Sequence, residues 1–424
     1  MQSLLILGRQ PALGLAELES LYGANKIQLI GDKVAVVDVD PCLLAFDRLG
    51  GSMKFCKILT TLDTTNWKEI EKFLVQVSPG HSQQMPEGKM NLGLSAIGMN
   101  TDVKQLNASA LTLKKAIKKT GRNVRVVPNK GLELNTAQVL HNGLVKETGW
   151  ELYLIRSGQQ TVIAQTVKVQ DIESYTKRDR ERPKRDARVG MLPPKLAQII
   201  INLAVGELPE EAKQSICEIP PDQPIPQQHF DSTVLDPFCG TGVILQEATL
   251  MGYRAYGTDL EPRMVEYSDQ NLGWLQTVNL GAGTWIPEEQ EFITGENTNV
   301  EQADATNYHW PYQFNFVASE TYLGRPFTSL PDPETLARNV SDCNLIIKKF
   351  LQNIHGQMKP GTRLCLAVPA WQVKRNQFKH LPLIDQICDL GYNRVSFEHI
   401  RDTDLTYYRP DQIVARQLLV ITRK

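Results

Sequence analysis

Two short stretches in the second half of the chain combine residue types that could do chemistry. The first is VLDPFCGTGVILQEA, which places Asp236 at the end of an apolar run and glycines at 240 and 242 before a helical pattern. Glycines let the backbone turn tightly and let a ligand come close. The second is FNFVASETYLGRPF, where an apolar run leads into Ser-Glu-Thr-Tyr at 319–322. A carboxylate there can accept two N–H bonds, and an aromatic ring can stack on a flat group.

Acidic residues follow three predicted strands in sequence order. Asp236 ends the first, Asp259 ends the next in YGTDL, and Asp304 follows a third in VEQADAT. A carboxylate in the second position can accept both ribose hydroxyls of a bound nucleoside. Asp304 is placed to accept from an adenine amino group. The three strand ends together indicate a nucleoside-containing ligand.

The residues around the glycines indicate which of two kinds of ligand, a dinucleotide or S-adenosylmethionine, fits this loop. A dinucleotide fingerprint needs a third glycine where this chain has Leu245. A carboxylate before the glycines is unfavourable beside a pyrophosphate but attracts the cationic methionine portion of S-adenosylmethionine. The open alternative is a pair of turn glycines in an unrelated α/β fold. The residues predicted to bind S-adenosylmethionine are Asp236, Phe238, Cys239, Gly240, Thr241, Gly242, Asp259, Leu260, Asp304 and Ala305.

Strand and helix patterns alternate from residue 231 and must position these groups. The predicted strands are 232–236, 254–258, 297–303, 314–318, 362–368, 393–400 and 413–422. The predicted helices are 243–251, 262–275, 333–357 and 371–390. This alternation is typical of a doubly wound α/β domain, whose ligands bind at the carboxyl ends of the strands.

Length and composition set the broad class. A chain of 424 residues is too long for one core, and its 22% charged and 42% apolar residues are ordinary for a soluble protein. No apolar run approaches a membrane span, and MQSLLILGRQ is interpreted as a strand instead of a signal peptide. The seven cysteines are scattered and form no C-x-x-C, which argues against a disulfide framework and a structural zinc site. We expect no metal and a reducing cytoplasmic location.

Charge is distributed unevenly along the chain. Residues 1–190 contain 27 Lys and Arg against 19 Asp and Glu, whereas the remainder contains 19 against 28. A basic front half indicates an anionic partner, with a solvated surface as the alternative. A β-α-β pattern covers residues 1–80, a polar Pro/Gly-bearing junction lies at 77–91, and a second small α/β unit closes near 170.

A long segment then resembles a known family. QDIESYTKRDRERPKRDARVGMLPPKLAQIIINLA followed by VLDPFCGTGVILQEA is similar to the THUMP-domain tRNA guanosine-N2 methyltransferases, and LLILGRQPALGLAELESLYG extends the likeness to the N-terminal region. The resemblance implies an α/β protein in which a ferredoxin-like plus THUMP α+β module precedes a Rossmann-like class I methyltransferase domain. Its boundaries are 1–80 for the ferredoxin-like domain, 81–175 for the THUMP domain, 176–190 for a basic linker and 191–424 for the methyltransferase domain.

The resemblance also implies tRNA as the partner. Basic residues cluster on a helix and in the linker, where they can contact phosphates without reading sequence. The predicted RNA-binding residues are Lys114, Lys115, Lys118, Lys119, Arg122, Arg125, Arg178, Arg180, Arg182, Lys184 and Arg185. The sequence leaves open whether a small activator subunit is required.

The family pattern is altered at the amine site. Aligned on Gly324, Glu320 replaces the family's Asp, Thr321 and Tyr322 replace two prolines, and Leu323 replaces an aromatic. Glu320 can still accept N–H bonds from an exocyclic amine, and Tyr322 could stack on a flipped base. The predicted catalytic residues are therefore Glu320, Thr321 and Tyr322, and the predicted reaction is methylation of a guanosine N2 amine in tRNA.

Two alternatives remain open at this point. One is a catalytically inactive or repurposed THUMP/Rossmann protein that only binds RNA, because the loop has lost both prolines. The other is an amino-methylase acting on DNA or protein, against which the basic front half speaks.

Overall fold

The structure, a computed structural model, describes residues 2–186, 191–208, 231–278, 298–374 and 377–424. It divides into two compact units that interleave along the chain. Unit 1 comprises Met1–Pro11, Asn25–Phe46 and Ser52–Ile172, and unit 2 comprises Ala12–Ala24, Asp47–Gly51 and Glu173–Lys424. The first helix, α1 (Pro11–Tyr22), therefore lies almost wholly in unit 2, although it follows the first strand directly.

One sheet of eight described strands organises unit 1. Its strands are β1 (Ser3–Leu7), β2 (Ile27–Ile30), β3 (Val34–Val37), β4 (Ser52–Leu62), β5 (Met90–Ile97), β6 (Val124–Val126), β7 (Gly149–Ser157) and β8 (Gln160–Val169). They are ordered β2-β3-β1-β4-β8-β7-β5-β6. Because β4 pairs with β8, the segments predicted as separate domains at 1–80 and 81–175 share one sheet.

Helices of unit 1 cover this sheet with apolar faces. They are α2 (Trp67–Gln84), α3 (Val103–Lys118) and α4 (Thr136–His141). Ile70, Leu74, Leu106 and Leu113 are buried in a common core cluster. Helix α2 continues through Pro79, so the junction predicted at 77–91 is wrong over its first half. The buried face of α2 holds the helix together across the proline, which normally breaks one.

Unit 2 is built on a sheet of nine described strands. They are β9 (Thr233–Asp236), β10 (Arg254–Asp259), β11 (Thr298–Gln302), β12 (Phe316–Glu320), β13 (Arg363–Lys374), β14 (Gln377–Lys379), β15 (Tyr392–Arg394), β16 (Thr406–Tyr407) and β17 (Val414–Arg423). The main path runs β11-β10-β9-β12-β13-β17-β15. The first five are parallel and β17 is antiparallel to both of its neighbours.

Helices pack on the two faces of this sheet. In chain order they are α5 (Ile172–Arg180), α6 (Pro194–Val205), α7 (Val243–Leu250), α8 (Pro262–Thr277) and α9 (Pro333–His355). Helices α6 and α7 contribute to one core cluster and α9 to the other. The predicted α/β fold class, a Rossmann-like sheet with helices on both faces preceded by an α+β module, is confirmed.

Helix α1 is part of unit 2 because polar groups fix it there. Glu17 is fully buried and accepts hydrogen bonds from the amides of Gly50 and Gly51, at 2.9 and 2.8 Å, and from Asn202 Nδ2 at 2.7 Å. Burial raises the pKa of Glu17 to about 7. Leu13 and Ala16 join the apolar core beside α6.

The predicted helix at 371–390 is wrong. Strand β13 continues to Lys374, because Trp371 pairs with Val414 of β17, and a 3-10 helix covers Pro382–Leu390. A long antiparallel partner overrides the local helical spacing. Trp371 is fully buried in the core.

Other features of the described residues bear on class. In the described part of the chain no helix is long and apolar enough to cross a bilayer, and no cluster of His, Cys, Asp or Glu is arranged to hold a metal. Free thiols are found at Cys56, Cys239, Cys343, Cys365 and Cys388. Cys42 is disulfide-bonded, which the scattered spacing did not indicate.

Candidate active site

Three carboxylates meet at one edge of the unit 2 sheet. Asp236 ends β9, Asp259 ends β10 and Glu320 ends β12. These strands are adjacent and parallel, with β9 between the other two. The carboxyl edge of a parallel sheet is where α/β proteins bind ligands. The structure thus brings together Asp236, Asp259 and Glu320, which the sequence placed at separate strand ends.

Asp236 is the most deeply buried member, at 2% exposure. Its Oδ1 accepts a hydrogen bond from Ser319 Oγ at 2.6 Å and one from the Phe238 amide at 3.2 Å. Burial raises the pKa of Asp236 to about 8, and the charges of Asp259 and Glu320 push it in the same direction. A bound cation would favour the ionised form. The site is therefore better matched to a positive ligand than to a phosphate.

The loop that contains Gly240 and Gly242, the glycine loop, is held by hydrogen bonds to Gly240 and has open space beside that residue. The Gly240 amide donates to Asp259 Oδ2 at 2.9 Å, and Ser268 Oγ of α8 donates to the Gly240 carbonyl at 2.8 Å. Gly242 has φ +78°, and a Cβ there would lie 2.9 Å from Ser268 Oγ. A Cβ on Gly240 would meet no atom within 4 Å. Open space at Gly240, between two carboxylates, leaves room for a ligand.

The second and third acidic strand ends differ in how free they are. Oδ1 of Asp259 accepts from the Glu261 amide at 2.9 Å, and burial raises the pKa of Asp259. The neighbouring Leu260 side chain is 61% exposed, which suits a flat apolar ligand face. Oδ1 of Asp304 accepts from both the amide and the hydroxyl of Thr306, so it closes a local turn. Asp304 is less available to a ligand than the sequence indicates.

The remaining predicted cofactor residues line the loops. Cys239 is 5% exposed, and its amide donates to the Thr258 carbonyl at 2.9 Å. The Thr241 carbonyl accepts from Asn271 Nδ2 at 2.8 Å. Phe238 is half-buried and Ala305 is buried. These residues shape the loops more than they offer free polar groups.

Glu320 forms an ion pair that the sequence analysis missed. Arg416 Nε, on β17, donates to Glu320 Oε1. The two side chains are only 6% and 15% exposed. The available sequence signal was an arginine inside an otherwise apolar strand, because charged groups are rarely buried without a partner.

The two residues after Glu320 face in different directions. Thr321 is 3% exposed, and both its amide and its hydroxyl donate to the Ala367 carbonyl, at 3.1 and 3.2 Å. Its side chain therefore ties the loop to β13, and the role predicted for Thr321 at the amine stays a prediction. Tyr322, by contrast, is 41% exposed. Within the described residues, the carbonyls of Thr321 and Tyr322 accept no hydrogen bond.

Helix α9 fixes the end of this loop. Gly324 has φ +83°, and a Cβ there would lie 2.6 Å from the amide atoms of Asn339. Asn339 Oδ1 accepts from the Arg325 amide at 3.0 Å. The glycine is thus required by both its backbone conformation and the close approach of α9. This contact supplies rigidity that the absent prolines do not.

The predicted RNA-binding residues of unit 1 lie mostly on the surface. Lys115, Lys118, Lys119 and Arg125 are exposed, and Lys114 is half-buried. Arg122 instead donates to the backbone carbonyls of Ser82, Met85 and Pro86. Its guanidinium thus connects the segment after α3 to the end of α2 and the residues that follow it. These bonds occupy the guanidinium, which is not free to contact phosphate.

The predicted linker is packed against unit 2 over its described part. Arg178 is 4% exposed and pairs with Glu247 of α7 at 2.7 Å, and Arg182 is 2% exposed. The Lys184 amide donates to Asn271 Oδ1 at 2.9 Å, and its ammonium lies 5.2 Å from the centre of the Tyr267 ring. The prediction that Arg178 and Arg182 bind RNA is therefore wrong, because both side chains are buried. The buried carboxylate on α7 attracts this cationic segment. Arg180 and Arg185 are exposed, and residues 187–190 lie outside the described ranges.

Comparisons with known proteins give a partial relative. No family model matches the chain. The chain is 37% identical over 136 residues to the tRNA (guanine(10)-N2)-dimethyltransferase of Methanothermobacter thermautotrophicus, a match covering 32% of this chain and 32% of that protein. The chain thus spans about a third of the length of the curated relative that it matches. The predicted resemblance to tRNA guanosine-N2 methyltransferases is confirmed over these residues.

Two solved structures are similar to the whole chain at low identity. TrmN from Thermus thermophilus is 13% identical with a TM-score of 0.49, and the comparison covers 100% of both chains. A possible methylase from Clostridium difficile 630 is 12% identical with a TM-score of 0.46, covering 99% of this chain and 97% of that one.

Proposed function

We propose that the protein is an S-adenosylmethionine-dependent methyltransferase that methylates the exocyclic N2 amine of a guanosine in tRNA. One observation carries the proposal. A carboxylate with a free oxygen, Glu320, stands at the edge of β12 next to Asp236 and the open glycine loop on β9. The partial relative named above acts on a tRNA guanine amine, which agrees with this reading of the site.

The chemistry of the donor set fits the cofactor. Asp236 offers an oxygen toward positive charge, and Asp259 can accept from ribose hydroxyls on lone pairs not used by the Gly240 and Glu261 amides. Gly240 leaves space for close approach, and Leu260 provides an apolar surface. When bound, S-adenosylmethionine supplies an electrophilic methyl group on a sulfonium. The protein's own residues hold the ligand and orient the amine.

The residues at the end of β12 would mainly orient the amine. An aromatic amine is a weak nucleophile because its lone pair is delocalised into the ring. Oε2 of Glu320 accepts one N–H, and a carbonyl of Thr321 or Tyr322 accepts the second, so the lone pair is aimed at the methyl group. When the methyl group of a bound sulfonium passes to the amine nitrogen, Oε2 of Glu320 would accept the amine proton that must leave. Such positioning supplies much of the acceleration in enzymes of this type.

Fewer of the predicted basic residues are available to contact RNA than the sequence indicates. On unit 1, Lys115, Lys118, Lys119 and Arg125 retain exposed charge for phosphates. Taken separately, unit 2 retains Arg180 and Arg185. Tyr322 offers a ring for stacking on a flipped base, a contact worth roughly 1–3 kcal/mol. The resulting partner is a folded RNA held by shape and charge.

A second candidate function is RNA binding without catalysis. The observation that favours it is the ion pair of Glu320 with Arg416, because it occupies one of the two carboxylate oxygens. This candidate requires RNA affinity that survives loss of Glu320 and no methylated product.

The test is methyl transfer from tritiated S-adenosylmethionine to bulk tRNA, followed by nucleoside mass spectrometry. We expect N2-methylated guanosine with the natural protein, loss of label with Glu320→Ala, and full label with Glu334→Ala, which removes an exposed carboxylate from α9. Binding of tRNA by Glu320→Ala should persist and weaken steeply with salt. Replacing Lys115, Lys118 and Lys119 with Gln should reduce the slope of log K against log salt by roughly 1 per lysine. Absence of label from the natural protein would leave only the RNA-binding candidate.

A further inference from the structure

The ion pair at the end of β12 is incomplete in a way that leaves groups for a ligand. Only Arg416 Nε and Glu320 Oε1 bond to each other. Across the described residues, Oε2 of Glu320 and both Nη atoms of Arg416 have no hydrogen-bond partner. Each of these three atoms has some contact with solvent. A free acceptor and free donors therefore stand side by side.

Strand register places this pair on the ligand-binding edge. Glu320 pairs with Ala367 of β13, and Arg416 pairs with Pro369, two residues further toward the carboxyl end of that strand. The arginine side chain reaches across the end of β13 to β12, in the direction of Asp236 and the glycine loop. The free atoms lie where an amine must sit for transfer under the proposed function.

We propose that Glu320 and Arg416 act as one recognition unit for an amino group and the ring nitrogen next to it. Oε2 accepts from the amine while an Nη of Arg416 donates to the ring nitrogen. In guanine the pair of atoms is N2 and N3; adenine and cytosine present the same pattern at N6 and N4. An aliphatic amine has no neighbouring acceptor and would leave the Nη atoms of Arg416 without a partner. The substrate class is thus an amino group on a heteroaromatic ring.

Pairing also explains why a longer acid can replace the family's shorter one. Glu320 has one more rotatable bond than Asp, which would loosen the position of its oxygens. The Arg416 bond fixes one oxygen and so aims the other. Arg416 is therefore a positioning residue whose free nitrogens also touch the base. This inference rests on the proposed function and adds the specificity of the same site.

The experiment is a double-mutant cycle between the protein and its RNA. The modified nucleotide is located with the natural protein, and a ligated tRNA is prepared in which that nucleotide lacks the ring nitrogen, 3-deazaguanosine if guanosine is the target. Methyl transfer is measured on both tRNAs with the natural protein, Arg416→Gln and Arg416→Lys. Arg254→Gln is the control, since it breaks an ion pair with Asp231 at the opposite edge of the sheet, 48% and 89% exposed. Thermal unfolding and cofactor affinity are measured on every variant.

For the natural protein we expect kcat to fall about 100-fold on the deaza tRNA, as for a misplaced reacting group. Arg416→Gln should be as slow on ordinary tRNA and should not distinguish the two tRNAs, with cofactor affinity unchanged. Arg416→Lys should recover part of the difference, and it keeps the test decisive if Arg416→Gln unfolds. Arg254→Gln should behave as the natural protein.

Three results separate the possible failures. If the natural protein accepts the deaza tRNA at full rate, or if Arg416→Gln still distinguishes the two tRNAs, the recognition unit is refuted and the proposed function stands. Equal loss of stability and activity with retained discrimination would assign Arg416 a purely structural role. If the natural protein labels no tRNA, the proposed function fails and this inference fails with it.

Discussion

The two halves of the candidate active site differ in whether their carboxylates are paired with a positive charge. On the β9–β10 side, Asp236 is buried and Asp259 half-buried, neither forms an ion pair with another described residue, and burial raises the pKa of both. On the β12–β17 side, Glu320 is matched by Arg416. A carboxylate left without a counter-charge prepares a place for a positive ligand, whereas a paired one holds its geometry. The first half is therefore built for charge attraction and the second for orientation.

The halves also differ in how far apart their parts lie in the chain. The glycine loop and Asp259 are bonded across 19 residues, but Glu320 and Arg416 are separated by 96. A local motif can be recognised from its spacing. A pair from distant strands exists only once the sheet order is known.

The largest expected effect comes from removing one member of the ion pair. Arg416→Met leaves Glu320 without its counter-charge in a mostly buried place, and we expect a loss of about 3 kcal/mol in the free energy of unfolding. Adding Glu320→Gln to that variant should restore most of the loss, because no charge then remains unpaired. Urea unfolding of the two variants measures both values. Additive losses in the double variant would show that the pair is not a coupled unit.

Replacing one glycine by alanine in each half of the site is expected to reduce the free energy of unfolding by a smaller amount. Gly324→Ala meets Asn339 at 2.6 Å and has φ +83°, so we expect a loss of about 2 kcal/mol. Gly240→Ala meets nothing within 4 Å and has φ +52°, so we expect about 1 kcal/mol. The order reverses for cofactor affinity, since the new Cβ on Gly240 enters the open space. Calorimetric titration with S-adenosylmethionine and thermal unfolding give the two rankings, and an equal effect of both variants on affinity would contradict the comparison.

A further effect, that of replacing Asp236, has the opposite sign. The folded pKa of Asp236, about 8, lies above its ordinary value of 3.8, so the ionised carboxyl penalises folding increasingly as pH rises from about 4 to about 8. Asp236→Asn removes that penalty, and its stability relative to the natural protein should increase between pH 5 and pH 8 without cofactor, by roughly 1.4 kcal/mol for each unit of the shift that is titrated in that range.

The same substitution should weaken S-adenosylmethionine binding about tenfold at pH 8, since a cation is attracted by the ionised carboxyl. Ser319 Oγ can still donate to the Asn oxygen, so the loop should keep its shape. Chemical unfolding at the two pH values, with titration of the cofactor, checks both signs. A destabilised variant at pH 8 would mean that Asp236 has a counter-charge in the folded protein.

Elements with a strong local pattern were predictable. The strand ending at Asp236, helix 262–277 and helix 333–355 lie close to their predicted positions, because apolar periodicity and caps such as Asp332 act within a few residues. The helix predicted at 371–390 failed because a partner strand more than forty residues away in sequence extended β13. The buried linker failed for a similar reason, since Glu247 is invisible as a partner from the linker alone.

The sequence by itself determined the glycine loop, the acids at the strand ends and the presence of a carboxylate at position 320, because each depends on neighbours in the chain. Only the tertiary structure decided that Glu320 shares its charge with Arg416, that Thr321 turns into β13, and that α1 joins unit 2. The physical reason is that desolvation and pairing of charges depend on which strands lie side by side, and that information is distributed over the whole chain.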